Sequence, residues 1–200
     1  MRLTTTTQVS VDGVMQGGGG RDEDRSGGFE RGGWAMPLGD EETAKYISAR
    51  FERAGAFLFG RRTYELFAGY WGAKGDLENP IARALNTKPK YVASNTLSAP
   101  GWAPTTVLCG DLAAAIGELK AAPGGELQVH GSGVLVRWLL EHDLVDEMNL
   151  LVGPVIVGQG ARLFPENGPD TALELVDSRT FPRGVTLQVY RPSGRPRYAD

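Results

Sequence analysis

The chain has 200 residues, enough for one domain or at most two small ones. Its 41% hydrophobic content is ordinary for a globular protein, and a net charge of -3 gives no broad basic surface of the kind that binds nucleic acid. No apolar stretch approaches the ~20 residues that a membrane helix needs. Met1-Arg2-Leu3-Thr4 lacks the apolar core of a signal peptide, so the cytoplasm is the expected location. The single cysteine, Cys109, has no internal disulfide partner. In the apolar run Thr106-Val107-Leu108-Cys109 it reads as a buried structural thiol. With one cysteine and only His130 and His142, no clustered zinc site is expected.

In chain order, Leu3 to Val11 is rich in Thr and Val and predicts a strand. Gly13 to Gly39 is mostly glycine and charge, too long for an ordinary connector, and so either disordered or functional. Asp40 predicts the cap of a helix from Glu41 to Ala54, with Glu41 and Glu42 at its positive end. Ala44, Ile47, Phe51 and Ala54 follow helical spacing and mark its buried stripe. Ala56-Phe57-Leu58-Phe59 is apolar at every position, which predicts a strand covered on both faces within a parallel sheet.

A second helix is expected from near Arg62. Tyr91-Val92-Ala93 and Val107-Leu108-Cys109 predict short strands. Leu112 to Ala121 predicts a helix ended by Pro123-Gly124-Gly125. Leu127 to His130 reads as a strand and Leu135 to His142 as a helix. Met148 to Val157 reads as a long strand with room for a break at Gly153-Pro154, and Leu173 to Ser178 with Val185 to Tyr190 as an antiparallel pair. This alternation predicts an α/β fold with a mixed, mostly parallel sheet and helices on both faces. No repeat and no clear linker divides the chain, so one domain over 1–200 is expected.

Three strand ends carry residues suited to phosphate. Gly60-Arg61-Arg62-Thr63-Tyr64-Glu65 follows a buried strand and opens a helix, with guanidinium and hydroxyl donors. Alone, it fits a phosphate seat or a solvated basic pair equally well. It is neither a Gly-x-Gly-x-x-Gly dinucleotide turn nor a Gly-Lys-Ser/Thr loop. Ser94-Asn95-Thr96 follows the next strand and fits either a phosphate contact or a plain turn. Gly131-Ser132-Gly133 is again a small-residue turn between strand and helix. Three such turns, spaced by roughly thirty residues, reinforce one another. Ser10-Val11-Asp12-Gly13 reads as a turn in which Asp12 accepts backbone bonds. Gly158 and Gly160 suit either a tight turn or a close backbone approach beside a pocket.

Residues 129–164 carry a family resemblance. They run Val129-His130-Gly131-Ser132-Gly133-Val134-Leu135, then Leu144-Val145-Asp146-Glu147-Met148, then Pro154-Val155-Ile156-Val157-Gly158-Gln159-Gly160-Ala161-Arg162-Leu163-Phe164. This segment resembles the dihydrofolate reductase-like superfamily. Within it, the closest resemblance is to the C-terminal reductase domain of the bifunctional riboflavin-biosynthesis deaminase–reductase and its stand-alone bacterial relatives. The likeness extends from Ser10 to about Tyr190 and implies a three-layer α/β/α fold that binds NADPH. By position, Gly60, Arg61, Arg62 and Thr63 are implied to contact the cofactor phosphates, and Ser94 and Asn95 the adenosine 2′-phosphate. Gly131, Ser132, Gly133 and Val134 are implied to take the pyrophosphate beside the nicotinamide.

The resemblance also implies a catalytic role for Asp12, orienting substrate or stabilising a cationic intermediate. Gly17 to Gly33 would be a lid, with Trp34, Met36 and Ile47 at the substrate pocket. In one respect the chain departs from authentic dihydrofolate reductases, which place an acid on the first helix inside the pocket. The inward candidates here are Ala44, Ile47 and Phe51, which argues against folate. The implied activity is NADPH-dependent hydride transfer to a C=N or C=O carbon of a small heterocyclic or ribosylamino substrate. It would be similar to 5-amino-6-(5-phosphoribosylamino)uracil reductase or dihydrofolate reductase. The alternative is a non-catalytic nucleotide- or flavin-binding protein of the same fold. A homodimer is expected, with Met148 to Val157 and the C-terminal pair as contact elements. Neither nucleic acid nor membrane is an expected partner.

Overall fold

The computed structural model describes residues 1–168 and 170–199. Its strands are β1 (Arg2–Ser10), β2 (Ala54–Gly60), β3 (Lys90–Ala93), β4 (Thr105–Leu108), β5 (Glu126–His130), β6 (Glu147–Gly153), β7 (Leu173–Thr180) and β8 (Thr186–Pro192). Its α-helices are α1 (Glu41–Arg53), α2 (Arg61–Phe67), α3 (Pro80–Thr87), α4 (Leu112–Ala121) and α5 (Gly133–Glu141). All eight strands join one sheet in the order β4-β3-β2-β5-β1-β6-β8-β7. The six strands from β4 to β6 run parallel, while β8 is antiparallel to both β6 and β7.

Strand β2 shows why the sheet is covered twice. Ala56 and Leu58 pack with Ile116 of α4 and with Leu135 and Leu139 of α5. Phe57 and Phe59, on the other face, pack with Phe51 of α1, Tyr64 of α2 and Leu85 of α3. Side chains alternate across a strand, so a strand apolar at every position must be covered on both faces. No helix among the described residues is long and apolar enough to cross a membrane.

Helix α1 starts where its cap is expected, with the Asp40 carboxylate accepting from the Thr43 N–H at 2.8 Å. Its buried face differs from the apolar stripe. Ala44 is exposed, and Thr43 and Arg50 are buried with Phe51. The sheet beneath is polar at this point, which explains the rotation. Arg50 lies 3.1 Å from Glu126 and 3.4 Å from Glu147, and it donates to Thr4 Oγ1 at 3.1 Å. Gln128 donates to the Arg50 carbonyl at 2.7 Å, and Tyr46 to Asn149 at 3.1 Å. A buried charge is tolerable only with such partners.

The structure refines the sequence reading at other points as well. Cys109 is exposed just beyond β4, not buried. β6 stops at Gly153, since Pro154 has no N–H to extend the ladder. β6 itself is hydrogen-bonded to β1 and β8 and almost wholly buried, while Pro154 and Ile156 just beyond it are exposed. By contrast β7 ends the sheet and is exposed along its whole length. Helix α3 is not among the expected elements, although Asn79-Pro80 announces it. The Asn79 side chain accepts from the N–H groups of Ile81 and Ala82, and Pro80 occupies the first turn, where a missing N–H costs nothing.

Candidate active site

The connections after β1 and β2 carry α1 and α2 to one face of the sheet, while the one after β5 carries α5 to the other. Neighbouring strands whose connections part in this way leave a crevice at their carboxyl ends. The turn after β5 lies in that crevice. Gly131 and Ser132 are consecutive left-handed residues, at φ 68° and 62°. For Ser132 that backbone is strained. The turn brings its hydroxyl onto the start of α2, where Oγ accepts from the Gly60 N–H at 2.9 Å and donates to Thr63 Oγ1 at 2.7 Å. Two of the three turns singled out in the sequence are thereby joined through one oxygen.

The third is joined through Arg61. Its Nη1 donates to Thr96 Oγ1 at 2.7 Å, and its Nε to Glu65 at 2.7 Å. Ser94 Oγ accepts from the N–H groups of Thr96 and Leu97 at 3.2 and 3.0 Å, which fixes the turn after β3. Asn95 is exposed on that turn, and Val134 is 75% exposed at the start of α5. Arg62 points instead to the glycine-rich segment, where it pairs with Asp24. The donor set suits a molecule bearing several phosphates. Two guanidiniums, two Thr hydroxyls and a small-residue turn line one edge of the sheet.

Asp12 sits at the far side of the crevice, and both its oxygens are engaged. Oδ1 accepts from Ser10 Oγ at 2.7 Å and the Val157 N–H at 2.9 Å, and Oδ2 from the Gly158 N–H at 2.8 Å. Arg162 lies 3.6 Å away and donates to the Asp12 carbonyl at 2.8 Å. The Ser10 hydroxyl, followed by the Val157 N–H, holds the Asp12 carboxyl well below the usual carboxylate range. Asp12 thus fastens the segment after β6 to the end of β1.

Between this crevice and α1 lies a small, half-open depression with a cavity volume of about 30 Å³. Gln8, Leu151 and Gly153 form its floor, and Trp34, Ala35, Leu38, Gly39, Thr43 and Val185 its walls. Trp34 Nε1 donates to the Gln16 carbonyl at 2.9 Å, which fixes the indole. Met36 is 65% exposed outside the pocket, and Ile47 is half-buried in apolar contacts beneath α1. The pocket therefore takes in Trp34 but neither Met36 nor Ile47. Gln8 was missed in the sequence, where it is one polar residue in a Thr-rich run. It is exposed between buried Thr7 and Val9. The pairing of β1 with β5 ends at Thr6 and His130, so Gln8 lies on the stretch where β1 and β6 run on past β5.

His130, just before the glycine turn, is buried and stacks on Phe51 at 4.1 Å between ring centroids. Its Nε2 meets Gln128 Oε1 at 3.0 Å. Burial, helped by the charge of Arg50, pushes its pKa down to about 3, so the ring is neutral and supports the turn by packing.

Sheet order, the antiparallel β8 and the turns at the carboxyl edge define an α/β domain with a mixed, mostly parallel sheet, the fold of its solved structural neighbours. The chain belongs to the family of the RibD C-terminal domain, whose model matches residues 2–187. It is 25% identical over 195 residues to the uncharacterized protein YyaP of Bacillus subtilis (strain 168), covering 96% of each chain. Over 73 residues it is 33% identical to the uncharacterized protein YwjB of the same organism, covering 36% of this chain and 42% of that one.

Among solved structures it resembles a putative riboflavin biosynthesis protein from Shewanella sp. PV-4. The TM-score is 0.73 at 24% identity, covering 96% of this chain and 99% of the other. It also resembles a pyrimidine reductase-like protein from Corynebacterium diphtheriae, with a TM-score of 0.62 at 14% identity, covering 96% and 92%. The family supports a reductase-type function, and these neighbours share the fold.

Proposed function

We propose that the chain is an NADPH-dependent reductase that transfers a hydride to a C=N or C=O carbon of a small heterocyclic or ribosylamino substrate. The observation that carries this reading is the convergence of the three turns, with the Ser132 hydroxyl bonded to both Gly60 and Thr63 and Arg61 bonded to Thr96. In this reading Arg61, with Ser94, Asn95 and Thr96, receives the 2′-phosphate. Thr63 and Gly131, Ser132, Gly133 and Val134 border the pyrophosphate, with Arg62 beside them. NADPH, when bound, supplies the hydride.

This chain's own residues bind, orient and exclude water. The Gln8 amide, at the pocket floor, would offer its NH2 group as donor and its carbonyl oxygen as acceptor to the substrate. Trp34 gives it an apolar wall. Among the described residues, none that lines the pocket is charged. A homodimer would make contact through the C-terminal pair, where β7 leaves an exposed edge.

Calorimetric titration of NADPH and NADH tests the cofactor assignment. A charge-assisted bond to phosphate is worth roughly 1.5–3 kcal/mol, so two of them favour NADPH about a hundredfold or more. That preference is expected in the wild type, with a larger loss in Arg61→Ala than in Arg62→Ala. Equal affinity for the two cofactors in the wild type would refute the assignment. NADPH binding without consumption, across a panel of heterocyclic and ribosylamino compounds, would leave a binding protein of the same fold.

A further inference from the structure

The segment 17–33 has little apolar material besides Phe29, yet the structure anchors it at several points: Arg31, Glu30 and Gly28 bond to Val157 and Gln159, and three further anchors bear on the site. Phe29 is 2% exposed and packs with Val14 and Val157. Its ring fits because Gly17 and Gly160 flank it; a Cβ at either would come within 2.8 or 2.7 Å of the ring. The Gln16 amide donates to the Ser26 carbonyl at 3.0 Å, to Ser26 Oγ at 3.2 Å and to the Asp24 carbonyl at 3.3 Å. The third anchor is the pair between Asp24 and Arg62.

The other acids at this end of the segment are satisfied locally. Asp22 pairs with Arg25 at 3.3 Å, and Glu23 accepts from the Gly19 N–H at 2.6 Å. Asp24 alone reaches across to the site. Its carboxylate accepts from the Ser26 N–H and hydroxyl at 3.1 and 2.8 Å, and its side chain is only 14% exposed, against 60% for Arg62. Burial raises its pKa, but the Ser26 bonds and the charge of Arg62 outweigh this, and the group stays below its ordinary value. An ionised carboxylate, already oriented by Ser26, is therefore held on a guanidinium of the phosphate edge.

We infer that Asp24 competes with a cofactor phosphate for Arg62, so that phosphate binding releases the Asp24 end of the segment while the Phe29 end stays anchored. This rests on the cofactor reading above, which places Arg62 beside the pyrophosphate. A carboxylate and a phosphate oxygen are both anionic acceptors for the same N–H, and their mutual repulsion disfavours sharing it. A carboxylate that served only as a strap would hold the segment without opposing an anion.

The test uses Asp24→Asn with NADP+ and inorganic pyrophosphate as probes, read by calorimetry. Asp24→Ser serves as a second variant, and thermal melts confirm that each is folded. The asparagine keeps the side-chain shape without the charge. Both probes are expected to bind about fivefold tighter than to the wild type, the scale of one partly exposed ion pair. In an Arg62→Ala background the gain should vanish, because the competition then has no object. In the wild type, pyrophosphate should speed amide exchange at 22–26 and leave 29–33 unchanged. Unchanged or weaker probe binding in both Asp24 variants overturns the inference. Pyrophosphate binding that responds to Asp24, without NADP+ or NADPH binding, upholds the competition and overturns the cofactor reading. No binding of any probe to any variant overturns both.

Discussion

Replacing Ser132 with alanine removes one oxygen that serves two elements. It accepts from the Gly60 N–H at 2.9 Å and donates to Thr63 Oγ1 at 2.7 Å. Each such bond has a net worth of roughly 0.5–1.5 kcal/mol, and stranding the Gly60 N–H costs about 1–3 kcal/mol where water is excluded. The site is half-buried, so the lower ends apply and the loss should be about 2 kcal/mol. A second effect opposes this only in a glycine variant. Ser132 holds φ at 62°, which costs a non-glycine residue about 1–2 kcal/mol. Alanine keeps that strain. Glycine relieves it, but gives back roughly 0.5–1 kcal/mol in unfolded-chain entropy.

Ser132→Gly should therefore lose about 1 kcal/mol where Ser132→Ala loses about 2. For a chain of this size, each kcal/mol shifts Tm by about 2–4 °C. Scanning calorimetry should place the alanine variant about 4–8 °C below the wild type, and the glycine variant between them. NADPH titration on the same samples should show weaker binding in both, because the turn after β5 is no longer pinned to Gly60 and Thr63. An alanine variant at the wild-type Tm, or a glycine variant below alanine, would refute the reasoning.

Two further outcomes are expected. His130 titrates at about 3 in the folded protein and at about 6.5 when unfolded. Because the folded value is depressed, its contribution to stability is whole above pH 6.5 and is lost as pH falls from there towards 3, at about 1.4 kcal/mol per unit. Urea unfolding between about pH 6.5 and 4, above the range of most carboxylates, should show a loss of about 3 kcal/mol that His130→Gln flattens; parallel profiles would count against a buried neutral ring. In Asp12→Asn, one acceptor oxygen becomes an NH2 group facing a backbone N–H of the segment after β6. Amide exchange at Val157 and Gly158 should quicken, and turnover or substrate affinity should fall while NADPH affinity stays within a few-fold. Unchanged exchange would remove Asp12 from its place as the fastener.

Much of this protein was written locally. An acceptor side chain before a helix, as at Asp40, is satisfied within its own turn, so the cap of α1 is legible from spacing alone. An apolar run such as Ala56 to Phe59 has only one stable place, inside a doubly covered sheet. Glycine-flanked turns at strand ends announce themselves because few residues tolerate their backbone. For these reasons the element order, the mixed sheet and the three turns at its edge were readable from the chain itself.

The tertiary structure alone decided which distant groups meet. Thr43 and Arg50 lie outside the apolar stripe that the spacing of α1 marks, yet they are buried. The strands opposite supply Glu126, Glu147 and Thr4 as partners, and no helical period records that. Gln8 lines the pocket only because β1 and β6 outrun β5, a matter of register between strands more than a hundred residues apart. Asp24 meets Arg62, and Phe29 meets Val157, by the same kind of long-range closure. Local sequence encodes which conformation a segment prefers. The partner that satisfies a buried polar group, or covers an apolar one, is chosen only when the sheet order brings the two together.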